Sequence, residues 1–287
     1  DAREASSHSK KRIKAMFSSA FRRDIYDALV RASSSPEGGD ASQAAFQSEV
    51  LEMFIRRGVG LPSEAERARA QELSSRIASL EGEFEQVINE DTTVASLASH
   101  ELDGLTEGFV EGLPTAPGDP TVRTISMKAP QLVPVMKLCT SSEVRKRVQR
   151  ASQTRCSDNE ERLAELVKAR HDRAVLLGFD SHAAFMLAPK MSKDVNTVHS
   201  FLEAMSSRLE APMRADLAAL VETANNSGDE KTNIDAWDVS FYSRILKEKT
   251  HSIDDELIRE YFPLEHVRAT ILSIYANLLR LDFRQFD

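Results

Sequence analysis

The chain has 287 residues, with 41% hydrophobic and 29% charged content and a net charge of −8. That is the profile of a globular protein long enough to bury a sizeable core. The acidic balance argues against nucleic acid as a main partner, and no run approaches the eighteen apolar residues of a membrane span.

Taken from the start, "DAREASSHSKKRIK" lacks both an initiator Met and the apolar core of a secretory signal. The basic groups Lys10-Lys11-Arg12, Arg22-Arg23 and Arg145-Lys146-Arg147 alternate with apolar positions and read as solvated helix faces. Residues 10 to 31 carry Ile13, Met16, Phe17, Phe21, Ile25 and Leu29 on one helical face. "SSSPEGGDAS", 33 to 42, follows as a loop, and a second helix with Phe46, Val50, Met53 and Phe54 ends near Gly58.

Ser63 and Glu66 form a capping-box pattern at the head of a long helix that reaches about Asn89. Its seam of Leu73, Ile77, Leu80, Phe84 and Val87 needs a partner. The preceding helix is the nearest candidate, with a coiled-coil dimer as the rival. From 101 to 134 glycines and prolines interrupt the helical pattern. "TVRTISM", 121 to 127, is the best strand, pairing near Phe109-Val110.

Helices are predicted at 131–138, at 142–154 and from Ser157, where Glu160 is the box partner. The last carries Leu163, Val167, Ala174 and Leu177 and stops at Gly178. A helix from Asp194 to Ala224 is expected to bury Val198, Phe201, Leu202, Met205 and Leu209 and to kink or break at Pro212. In "NIDAWDVSFYSRILKEK", 233 to 249, Asp235 reads as an N-cap with Asp238 as its box partner. Trp237, Phe241 and Ile245 then share one face, which reads as core. A helix capped by Ser252 ends near Tyr261, and one from Pro263 buries Val267, Ile271, Ile274 and Leu278. The fold class is all-α, with one small β excursion near 109–127. The segments divide at 1–93, 94–178 and 179–287.

Chemistry is hard to find. A zinc peptidase helix needs two His four apart with a Glu between them, and the seven His here never come closer than eleven residues. "HELDG", 100 to 104, starts with His100-Glu101 but has Gly104 at the second His position. His199 with Glu203, and His251 with Asp254 and Asp255, read as a surface pair and a helix start. Neither Cys139 nor Cys156 has a base nearby in sequence, and there is no phosphate loop, dinucleotide fingerprint or nucleophile elbow. Two distant cysteines suit a reducing compartment.

Five segments nevertheless resemble, in order, the thimet oligopeptidase and neurolysin family of zinc endopeptidases. They are "FEQVINEDTT", "ELDGLTEGFVEGLP", "LLGFDSHAAFMLAPKM", "DAWDVSFYSRILKEKTHSIDDELIREYFPLEHV" and "ILSIYANLLRLDF". Two departures stand out: Phe241 replaces the usual Tyr, and the 33–42 loop has no counterpart. The resemblance implies the N-terminal, non-catalytic half of a channel-shaped enzyme that takes short peptides. The 94–178 segment would pack on the missing catalytic half, and 179–287 would line the channel. Zinc belongs to the parent enzyme, and no catalytic or metal-binding residue carries over to this chain; substrate-binding residues are unassigned, with Tyr242 read as buried and a grip on peptide as its other role under the resemblance. The partners implied are peptides and the missing half, and the compartment is cytoplasmic, with a mitochondrial one open. The rival reading is a stand-alone helical interaction module, or a catalytically dead homologue.

Overall fold

The computed structural model describes residues 21–33, 41–251, 258 and 260–284. In chain order the elements begin with α1 (Arg23–Ser33), α2 (Ala41–Arg56), α3 (Glu64–Glu90), β1 (Val94–Ala98) and α4 (Glu107–Glu111). Next come β2 (Thr115–Ala116), β3 (Asp119–Ser126), α5 (Ala129–Leu138), α6 (Ser142–Gln153), α7 (Asn159–Leu176) and α8 (His182–Leu187). The long α9 (Val195–Asn226), α10 (Val239–His251) and α11 (Leu264–Leu279) complete the order. The fold is all-α apart from one small sheet, as predicted. Residues 10–20 of the first predicted helix, the core of the 33–42 loop and the Ser252 cap lie outside the described residues.

Two compact units divide the chain, one from residues 1–91 and 156–207, the other from 92–155 and 208–287. In the first, α1 packs on α2, with the Phe21 and Tyr26 rings 4.8 and 6.4 Å from that of Phe54. Phe54 is buried, whereas Phe46 and Met53, predicted on the same face, are exposed. The helix ends as expected at Gly58: its N–H reaches Ile55 O, and the Val59 N–H reaches Phe54 O. Gly58 has φ +81°, and a Cβ there would stand 2.7 Å from that of Ala70, so two requirements meet at one residue.

The Ser63–Glu66 capping box is present in both directions at the head of α3. The partner of α3 is α7, not the preceding helix. Leu73, Ile77 and Leu80 pack with Leu166 and Ala169, and Arg76–Glu165 and Arg170–Glu81 pairs flank the seam. In α7 the inner face is therefore Leu166, Ala169 and Ala174; Leu163 and Val167, expected inside, are 47% and 58% exposed. The Ser157–Glu160 box does not form. Cys156 takes φ +59° and the helix opens two residues later than expected, with Asn159 Nδ2 donating to Phe84 O instead.

In the second unit β3 lies between β1 and β2, antiparallel to both. The predicted strand exists, but its partners are 94–98 and 115–116; Phe109 and Val110 sit in α4. Burial alternates along β1, with Ala95 and Leu97 inward. Leu97, Ile125, Val135 and Val148 are fully buried and centre a core closed by α5 and α6. A smaller core joins Leu220 and Ala224 of α9 to Phe241 and Tyr242 of α10.

Helix α9 runs through Pro212 without a break; the ring removes the one N–H that would reach residue 208 and leaves the adjoining turns intact. Its apolar positions are not core. Phe201, Leu202, Met205 and Leu209 are between 43% and 60% exposed. In α11 Ile271, Ile274 and Leu278, also expected inside, are 47%, 50% and 74% exposed. Among the described residues, nothing covers either row.

Candidate functional site

The described residues do not fit a zinc ion. No group of three or more His, Cys, Asp or Glu among them stands close enough together to hold one. Glu101 is already engaged: both its oxygens accept from Arg147, and one also accepts the Ala98 N–H. The Arg147 bonds hold its carboxyl below the ordinary value against the opposing effect of burial. Gly104 cannot become a ligand, because φ is +85° and a Cβ would stand 2.3 Å from Leu138 O. His100 lines an open groove with Asp103, Thr121 and Arg123. His199 and Glu203 are exposed on α9. Asp254, Asp255 and the His251 side chain lie outside the described residues.

The Trp-Asp turn before α10 is built differently from its predicted cap. Asp235 offers only its carbonyl, to the Asp238 N–H, and α10 opens at Val239. The Asp238 carboxylate instead accepts from Arg145 Nε at 3.1 Å, from Ser142 Oγ at 2.8 Å and from Lys231 Nζ at 2.6 Å. Arg145 and Asp238 are fully buried. Burial pushes the Asp238 carboxyl up, but the Lys231, Arg145 and Ser142 bonds outweigh it and hold the group below its usual value. Trp237 Nε1 donates to Ser142 Oγ, and the Arg145 guanidinium lies 4.1 Å from the Phe241 ring centroid. Tyr242 is fully buried and its hydroxyl donates to the Asp229 carboxylate, so it does not face solvent.

Arg145, expected on a solvated helix face, is instead fully buried. The signal was available: Arg145 lies between Val144 and Val148, the buried positions of α6, on the helix's apolar side. Seven charged and aromatic side chains, with Ser142, thus fix a turn. They form a framework, with no nucleophile or free base among them.

A profile of peptidase family M3 matches residues 135–287. The chain belongs to peptidase family M3. Among its relatives in the family, a thimet-like oligopeptidase of Dictyostelium discoideum is 29% identical over 93% of this chain and 42% of its own length. Saccharolysin of Saccharomyces cerevisiae is 30% identical over 80% of this chain and 33% of its own. Oligopeptidase A of Escherichia coli is 28% identical over 78% and 35%. The chain therefore spans well under half the length of these family M3 proteins. The stretch matched by the M3 profile includes the Arg145–Asp238 framework and the uncovered side of α11.

Proposed function

We propose that this chain is the non-catalytic part of a zinc-dependent oligopeptidase, forming helical channel wall around short peptides and inactive by itself. Family membership supports the reaction class. One observation carries the finer reading: α9 and α11 present rows of large apolar side chains to solvent, including Phe201, Leu202, Leu278 and Leu279, each at least half exposed. Rows of this size mark surfaces that another body covers. On this reading that body is the catalytic portion of the same enzyme, which brings the zinc ligands. Segment 94–178 packs against it and 179–287 lines the channel. On the same reading nucleic acid and membrane are not partners, and the compartment is cytoplasmic, with a mitochondrial one as the alternative.

The same rows also favour a second reading, a helical module that docks other proteins. The two separate in two ways. Coding sequence beyond Asp287 containing a His-Glu-x-x-His supports the first, and a stop codon supports the second. For activity, the purified 287-residue chain is incubated with a quenched fluorescent peptide, with and without chelator. No cleavage is expected; chelator-sensitive cleavage by the pure chain would overturn the reading.

A further inference from the structure

Around the Phe185 ring positive charge collects, in a chain whose net charge is −8. Arg56 at the end of α2 and Arg173 in α7 hold their guanidinium carbons 4.0 and 5.0 Å from the ring centroid. Arg56 Nη1 donates to the Phe185 carbonyl at 2.8 Å. Arg173 has one weak bond, from Nη1 to Ser74 Oγ at 3.5 Å, and its Nε is buried without a partner. Nδ1 of His182, whose ring lies 6.1 Å from that of Phe185, is also buried and unpartnered.

The surrounding charges do not balance. Arg56, Arg170 and Arg57 lower the Arg173 pKa, and Glu81 raises it. Glu81 is already engaged by Arg170 at 2.7 Å. Burial first, and then these arginines, pull the Arg173 pKa below its ordinary value. A half-buried guanidinium with unmet donors and like-charged neighbours is costly unless something neutralises it. The guanidinium fork matches an oxyanion in shape. His182 Nδ1 adds a third polar atom in its protonated-nitrogen tautomer.

We infer that the Arg56–Arg173–His182 cluster around Phe185 binds an oxyanion, the chemistry shared by inorganic phosphate and a carboxylate. The bound group meets the unsatisfied donors and offsets the excess positive charge.

Isothermal titration calorimetry of the 287-residue chain tests this, with inorganic phosphate in one arm and acetate in the other, each against chloride at matched ionic strength. Saturable binding in either arm is expected, and which arm saturates tells phosphate from carboxylate. Arg173→Gln and, separately, Arg56→Gln each weaken it about tenfold, the loss of a charged hydrogen-bonding pair. Using two variants guards against one of them failing to fold. Absence of binding in both arms, or binding that both folded variants retain unchanged, overturns the inference.

Discussion

Arg145 and Asp238 lie 93 residues apart in sequence, and both are wholly withdrawn from water, with Arg145 Nε 3.1 Å from the carboxylate. Truncating one partner strands the other's charge in a low-dielectric interior. Asp238→Ala is expected to cost about 3–5 kcal/mol, read from the urea midpoint. Replacing both partners with apolar residues, Arg145→Met with Asp238→Leu, should recover much of that loss. A single variant as stable as the parent would show that the pair contributes little.

The same carboxylate sets an acid limit. Asp238 and Glu101 both titrate below their ordinary values when folded, so the unfolded chain binds more protons in acid. Their stabilisation is complete above the ordinary carboxylate values of about 4 and is lost as pH falls through the lower folded ones. Urea midpoints should be level from roughly pH 6 to 5 and drop below about 4. The drop should shrink in Glu101→Gln.

At the alkaline end Tyr242 acts with the opposite sign. Burial first, and then its bond to Asp229, raise the phenol above its ordinary value. That stabilisation is full below the ordinary phenol pKa and fades as pH climbs through the folded value. Tyr242→Phe should cost about 1–3 kcal/mol, because the Asp229 carboxylate loses its donor. Absorbance at 295 nm should show one phenol fewer titrating in the folded chain than after denaturation.

Two local features permit smaller tests. Ser63→Ala removes the capping box of α3 and should cost about 1 kcal/mol. Leu97→Ala opens a cavity at a residue with no exposure and should cost about 2–5 kcal/mol. A reversed ranking of the two, measured by urea unfolding, would contradict the assignment of Leu97 to the core.

The uncovered rows on α9 and α11 predict self-association. Dynamic light scattering should show particles growing with concentration. Phe201→Glu with Leu278→Glu should reduce that growth without loss of helical circular dichroism. A chain that stays monomeric at high concentration would count against a covering partner.

The features readable in the sequence were those decided within a few residues. Ser63 meets Glu66 three positions on, and Gly58 ends α2 because the chain turns there. The partner of α3 was missed because Arg76 meets Glu165 across 89 positions, and periodicity names a face without naming what it meets. Strand β1 was missed because five residues with two alanines give little β signal. The faces of α9 and α11 were correctly seen as apolar and wrongly taken as covered, since amphipathicity cannot say whether the covering body is within reach. Arg145 is a different case: its charge suggests solvent, whereas its position beside Val144 and Val148 puts it on the buried side of α6.

The sequence separation of the buried pair also sets an order for biosynthesis. At about 5–20 residues per second, Asp238 leaves the ribosome roughly 5–19 s after Arg145. During that interval the guanidinium has the Cys139 and Thr140 carbonyls but not its carboxylate, so α6 cannot settle into its final environment. Residues 92–155 therefore reach their final packing only after the turn at 229–238 has been synthesised.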